Sequence, residues 1–307
     1  MTYVQQIKSI PGRVYGVIRL IGSIKPGVHF RRSPRPTLKS EPFGDDPQQV
    51  FDLWKGEPGK GALVFFHGGG FVRGKRFYSR ALREAQEQGI TAVAAGYRRV
   101  KRRDISIADA VEDAAALIHY LIEQSDSLGI DPDRIAVTGN SAGGIFALLL
   151  AMRTGIIPGR CNRVVAAASH DTPTLIDPLR FREVLQLNSI EPFWIIWSQM
   201  FKIDQLDLIT TPRCQELIKS CSPELWLSKN ISPVYLNYSQ SPTMKEDSLS
   251  AHLHSAKFGV TFVGRAKQTG APVILSHADS RLNVTKEEFL IHAILHGADH
   301  LDELVQF

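Results

Sequence analysis

Ser141 lies in the run Gly139-Asn140-Ser141-Ala142-Gly143, and a serine with glycine two residues away on either side is a candidate nucleophile. Its hydroxyl can attack an acyl carbon only if a tight turn lifts it clear of the backbone. Such a turn needs small flanking residues, because a side chain at either glycine would collide as the chain folds back. A second tract, His67-Gly68-Gly69-Gly70-Phe71, carries the complementary chemistry. Three successive glycines leave backbone N–H groups open to a developing oxyanion. Gly69, Gly70 and Ala142 are therefore the expected oxyanion donors, His67 orients the glycine loop, and His67 and Phe71 are expected beside the substrate.

Both tracts sit where the hydrophobic pattern changes period. Arg134 to Thr138 reads as a short buried strand ahead of the serine, and Gly144 to Met152 as a buried helix behind it. That helix directs unpaired N–H groups at charge forming beside Ser141. Ala62 to Phe66 is another buried strand, and it empties into the glycine loop.

With these two motifs on parallel-sheet strands, the chain resembles an α/β-hydrolase of the hormone-sensitive-lipase-like and acetyl-esterase (carboxylesterase) groups. Smaller features agree: Phe43 to Leu53 is similar to the lead-in strand of such esterases, Ala94-Ala95-Gly96-Tyr97-Arg98 to their next strand end, and Asp131-Pro132-Asp133-Arg134 to the turn before the elbow strand. The likeness covers roughly Glu41 to Leu295. It implies a mostly parallel, doubly wound sheet with helices on both faces and a cap insertion, here at about 174–230. It also implies hydrolysis through an acyl-enzyme on serine, with no cofactor.

The rest of a triad follows from family order, which sets an acid after the seventh strand and a histidine after the eighth. Past the strand-like Val234 to Tyr238, Ser239-Gln240-Ser241-Pro242 stands where an aspartate is commonly met. Asp247, with Glu246 beside it, is the nearest later carboxylate and the expected acid. Ala271 to Ser276 reads as the eighth strand and Thr285 to Leu295 as the last helix, opened by a Thr285/Glu288 capping box. Only His277 lies between them, so order makes it the expected base, although no Gly-His-Gly turn surrounds it. His252 and His254, ahead of the eighth strand, are the alternatives for lining the pocket.

Phe193-Trp194-Ile195-Ile196-Trp197 concentrates half of the four tryptophans within the insertion. Trp194 and Trp197 are expected either to bind an acyl or aryl group or to form the cap's own core. Arg73, Lys75, Arg76 and the cluster from Arg98 to Arg103 follow strand ends, the edge where α/β sheets place their ligands. A basic rim there would draw in anionic esters.

At 307 residues the chain suits one such domain, residues 41–307, preceded by an arm at 1–40. The arm holds eight basic residues and no acid, leaving 28 basic against 31 acidic residues in the body. Its apolar stripe (Val14, Val17, Ile18, Ile21, Ile24) suits a helix packed on the body, or peripheral contact with an anionic membrane. Cys161, Cys214 and Cys221 form neither a metal spacing nor an even disulfide set, which points to a cytoplasmic, reducing location. Nucleic acid is not an expected partner, since the aromatic interleaving of a stacking surface is missing; an oligomer is open. Three functions therefore stand: an esterase for short acyl or acetyl esters, an arylformamidase-like amide hydrolase, or a hydrolase fold that only binds a small ligand.

Overall fold

The computed structural model describes residues 33–307 apart from 154 and 157–163, so the apolar stripe of the arm and Cys161 lie outside the described residues. Eight strands form one sheet: β1 (Leu38–Pro42), β2 (Val50–Trp54), β3 (Lys60–Phe66), β4 (Thr91–Ala95), β5 (Ile130–Asn140), β6 (Ala166–His170), β7 (Val234–Asn237) and β8 (Val273–Ser276). Their spatial order is β1-β2-β4-β3-β5-β6-β7-β8. β2 runs antiparallel to both its neighbours and the remaining pairs are parallel. The first strand begins at Leu38, inside the stretch expected as arm.

Parallel strands covered on both faces read as near-continuous apolar runs, and β3 is buried from Gly61 to Phe66. Its side chains still alternate between two cores. Ala62, Val64 and Phe66 point into the larger core with Val93, Val137 and Leu236, whereas Leu63 and Phe65 join Ala92, Ala136 and Tyr235 on the other face. The second face is covered by α1 (Arg80–Glu87), through Ala81, Leu82 and Ala85, and by the last helix, α10 (Lys286–His296), through Phe289 and Leu290. The expected capping box is present, with Thr285 Oγ1 accepting from Glu288 N and Glu288 reaching back to Thr285 N.

The larger core takes α2 (Ile107–Glu123) and α4 (Ala142–Met152), separated by the short α3 (Ser125–Leu128) before β5. Every residue of α4 is buried, so the helix behind Ser141 passes through the core instead of lying on its surface. On α2, fully buried Asp113 accepts hydrogen bonds from Arg98 N at 2.6 Å, Arg98 Nε at 2.8 Å and Gln49 Nε2 at 2.7 Å.

Between β6 and β7 the chain inserts α5 (Pro178–Leu185), α6 (Trp194–Phe201) and α7 (Pro212–Cys221), with short 3-10 turns. Asp177 caps α5, accepting from Leu179 N at 2.8 Å. Phe181 packs against Phe193, Trp197 and Phe258 at ring separations of 4.9, 5.3 and 5.1 Å. The end of α6 is fastened across the molecule, because Lys202 Nζ donates to the carbonyls of Val100 and Arg102 in the stretch after β4. After β7 come α8 (Leu249–Leu253) and α9 (Lys257–Thr269).

Candidate active site

Ser141 connects β5 to α4 with φ 52° and ψ −120°, a conformation sparsely populated by residues other than glycine. The surroundings force it. A Cβ on Gly139 would lie 2.3 Å from the Gly143 carbonyl carbon, and one on Gly143 would lie 2.1 Å from the Phe66 oxygen, so the turn closes only with hydrogen at both places. Ser141 N donates to His170 O at 2.9 Å, extending the β5–β6 ladder by one residue and fixing the height of the serine above the sheet.

The glycine loop lies directly against the elbow. A Cβ on Gly68 would sit 3.4 Å from Ser141 Cβ and 2.9 Å from Asn140 O. The N–H groups of Gly69 and Gly70 have no hydrogen-bond acceptor among the described residues, and Ala142 begins α4, where a helix leaves its N–H groups unpaired. Gly69, Gly70, Ala142 and Ser141 all line one cavity.

That cavity measures about 780 Å³ and takes its walls from four parts of the fold. The glycine loop contributes Phe71, the elbow Ile145, the β6 end Leu175 and Ile176, and the insertion Phe181, Ile196, Trp197 and Met200. Trp197 is thus both a ring of the insertion's aromatic core and a wall of the cavity. Trp194 is half-buried and does not line it. His67 also differs from its expected place beside the substrate: it is buried behind the loop, stacked on Tyr97 at 4.4 Å, with its Nδ1 2.8 Å from Gly68 O. Burial lowers its pKa to about 4, so the ring is neutral and braces the loop from behind.

The histidine beside Ser141 is not the one that family order indicated. His254, at the end of α8, brings Nε2 to 3.0 Å from Ser141 Oγ. Ser248 caps that helix, accepting from Ala251 N at 3.1 Å. Ser250 Oγ, one turn before His254, lies 3.3 Å from its Nδ1. A proton on Nδ1 directed at Ser250 leaves the Nε2 lone pair facing the serine. Burial lowers the His254 pKa, the nearby charge of Asp171 opposes that shift, and His170 adds to it.

His277 occupies a different setting. It leaves β8 into a tight turn, its N donating to Ser280 O at 3.1 Å and its carbonyl accepting from Ser280 N at 3.0 Å. Its ring does not line the cavity, because β8 is the edge strand and the chain doubles back there at once. Asp247 likewise stays off the cavity lining. The other candidate acid, Glu246, is bound to Ser255 Oγ at 2.6 Å and Lys257 Nζ at 2.8 Å. The sequence signal for His254 was local: a serine-capped turn with Ser250 four residues before the histidine. Family order outweighed it.

Four members of the basic rim are held by neighbouring side chains. Arg98 is held by Asp113, Arg76 by Asp52, Arg102 by Asp46 and Asp104, and Arg99 Nε by Gln48 at 2.7 Å. Arg73 and Lys75 line the cavity. Among the described residues no group of His, Cys, Asp or Glu could hold a metal ion, and no helix is long and apolar enough to cross a membrane.

Comparison with known proteins agrees with this architecture. The profile of the BD-FAE family matches residues 54–256. An ethyl acetate hydrolase from Pseudomonas putida is 39% identical over 92 residues, which are 29% of this chain and 28% of that protein. A probable isoprenylcysteine alpha-carbonyl methylesterase from Oryza sativa subsp. japonica is 32% identical over 138 residues, 44% of this chain and 33% of that protein. The match thus spans a third or less of either relative's length. Among solved structures, a thermophilic esterase from Thermogutta terrifontis superposes with a TM-score of 0.55 at 20% identity, covering 88% of this chain and 93% of that one.

Proposed function

Since the chain belongs to the BD-FAE family, within the carboxylesterase group of α/β-hydrolases, we propose that it is a serine esterase acting on esters of short acyl or aryl acids. One observation carries this reading: the 3.0 Å approach of His254 Nε2 to a serine held at φ 52° against a glycine loop. His254 takes the Ser141 proton as Oγ attacks the ester carbonyl, and the carbonyl π electrons pass to the oxygen. Gly69, Gly70 and Ala142 receive that oxygen. Each such donor is worth about 3 kcal/mol of barrier when well placed. The protonated His254 then returns its proton to the departing alcohol, and water, activated the same way, releases the acid from Ser141. The apolar cavity excludes water from the acyl group and supports acids bulkier than acetate.

The ligand-binding alternative rested on the degenerate triad, and the approach of His254 to Ser141 supports catalysis over it. Turnover of p-nitrophenyl acetate by the purified protein tests the proposal, with Ser141→Ala as the control. No hydrolysis of acetate, butyrate or benzoate esters would overturn it. Faster cleavage of an aryl formamide than of the matching ester would move the reading to amide hydrolysis.

A further inference from the structure

The triad order that most such sheets follow is filled differently at the carboxyl ends of β6 and β7. Strand register aligns Asn140 with His170 and His170 with Asn237, so the next residues, Ser141 and Asp171, stand side by side above the sheet. Their backbones continue the ladders, Ser141 N to His170 O and Asp171 N to Asn237 O, both at 2.9 Å. At the end of β7, where an acid would be expected, Ser239 presents two donors instead. Its N–H reaches Asp171 Oδ1 at 2.7 Å and its hydroxyl donates to Asp171 Oδ2.

Among the described residues, Asp171 is the sole Asp or Glu lining the cavity that contains Ser141 and His254. Its backbone has φ 48°, the left-handed region that aspartate and asparagine enter more readily than most residues. A third group also fixes its carboxylate. Asn237 Nδ2 lies 2.7 Å from His170 Nδ1, so that nitrogen accepts and the ring carries its proton on Nε2, 3.3 Å from Asp171 Oδ2. His170 is thereby held as a neutral ring, a state that burial also favours by lowering its pKa.

The partners of the His254 ring on its Nδ1 side are neutral groups of Ser250, the hydroxyl at 3.3 Å and the backbone. A positive charge created on its ring by proton transfer must find its counter-charge elsewhere. We propose, on the premise that Ser141 and His254 act as nucleophile and base, that Asp171 is the positioning carboxylate of this site. It acts on His254 through its field across the cavity wall, and Ser239 and His170 hold it there. The acid has moved from the seventh strand to the sixth, and the histidine from the eighth to the seventh. The proton still passes only from Ser141 Oγ to His254 Nε2 and on to the leaving alcohol; Asp171 accepts none.

The charged and titratable groups around His254 are few. Asp171 and His170 face it from the β6 end, Arg73 and Lys75 stand on the glycine-loop side of the cavity, and the Glu246–Lys257 pair lies at the start of α9. Asp171 favours the protonated ring. Replacing it with asparagine, which tolerates the same backbone angle, removes that support and should move His254 protonation to lower pH.

The test is an imidazole NMR titration of His254 in Ser141→Ala protein, with and without Asp171→Asn. A shift to lower pH is expected; an unchanged titration overturns the inference. In the active background, Asp171→Asn should lower kcat for p-nitrophenyl acetate about tenfold to a hundredfold, below the 10²–10⁴ typical of losing a general base. KM should change little, and the acidic limb of kcat/KM should move to lower pH. A purely structural role would lower activity without moving that limb. Should Asp171→Asn not fold, Ser239→Ala loosens the same carboxylate and must shift the His254 titration in the same direction, or the inference fails. Retained turnover in Ser141→Ala would sink the esterase reading instead, while the titration would still report on Asp171.

Discussion

The two halves of the sheet end present their chemistry by different means. On the β3 and β5 side, the glycine loop and the elbow are backbone constructions: donors, strain and spacing all follow from short contiguous runs. On the β6, β7 and β8 side, the groups near Ser141 are side chains delivered by connections of different lengths, and His254 and Asp171 line the cavity where His277 and Asp247 do not. Backbone devices leave a local imprint because a glycine is required at fixed offsets. A side chain that need only arrive at a point in space can come from any loop long enough to reach it.

Replacing Ser141 with alanine should give the largest effect, a loss of kcat of about 10⁴ or more, with the urea midpoint little changed. His254→Ala should cost about 10²- to 10⁴-fold in kcat, while His277→Ala stays within about threefold of wild type because a ring outside the cavity offers no base. Steady-state assays on the two histidine variants bear directly on the division between the halves. If His277→Ala were the inactive one, the β8 turn would have to rearrange in solution, and order along the chain would have been the better guide after all.

Stability probes the braced side. His67 is buried with its pKa lowered to about 4, so the unfolded chain takes up a proton near pH 6.5 that the folded protein refuses until about pH 4. Folding free energy should therefore fall as pH drops through that window, by up to about 3 kcal/mol from this group. His170 and His254, also lowered by burial, act in the same direction. Urea unfolding at pH 7 and pH 5 measures the loss, and a His67→Asn protein should show a shallower decline between those pH values.

A smaller loss is expected at the elbow. Gly143→Ala puts a methyl 2.1 Å from the Phe66 oxygen and should destabilise by about 1–3 kcal/mol. Gly264→Ala, on α9 where nothing lies within 4 Å of the added carbon, should gain about 0.5–1 kcal/mol. Equal effects in denaturant titrations would deny the elbow its special demand for glycine. Salt should matter least. Arg73 and Lys75 line the cavity, so raising salt from 20 to 500 mM should reduce the anionic-to-neutral ratio of kcat/KM about twofold.

Much of the fold was legible because burial on both faces makes parallel strands continuous apolar runs, as in Ala62 to Phe66, and because Thr285 and Glu288 write a cap into four residues. The elbow at Ser141 and the glycine loop against it were legible for the reason given above. His254 was visible only as an alternative: its register on α8 depends on the Ser248 cap and on where the chain returns from β7. Asp171 carried no signal at all. An aspartate after a strand is ordinary, and its meaning depends on Ser239, far along the chain. His67 and Trp194 show the converse, since residue type suggested contact with substrate while packing set one behind the loop and the other off the cavity wall.

The fastening of Lys202 to the Val100 and Arg102 carbonyls bears on traffic through the cavity. One ammonium spans from α6, which supplies Trp197 and Met200 to the cavity, to the stretch after β4. The insertion is thus pinned at its far end like a roof tied to the opposite eave, and lifting it would strand a partly buried cation. Traffic is then easier past Arg73 and Lys75 than beneath the insertion. Acetylating Lys202, which removes the charge and leaves a single N–H, would loosen the roof and widen the range of esters admitted without touching a reacting atom.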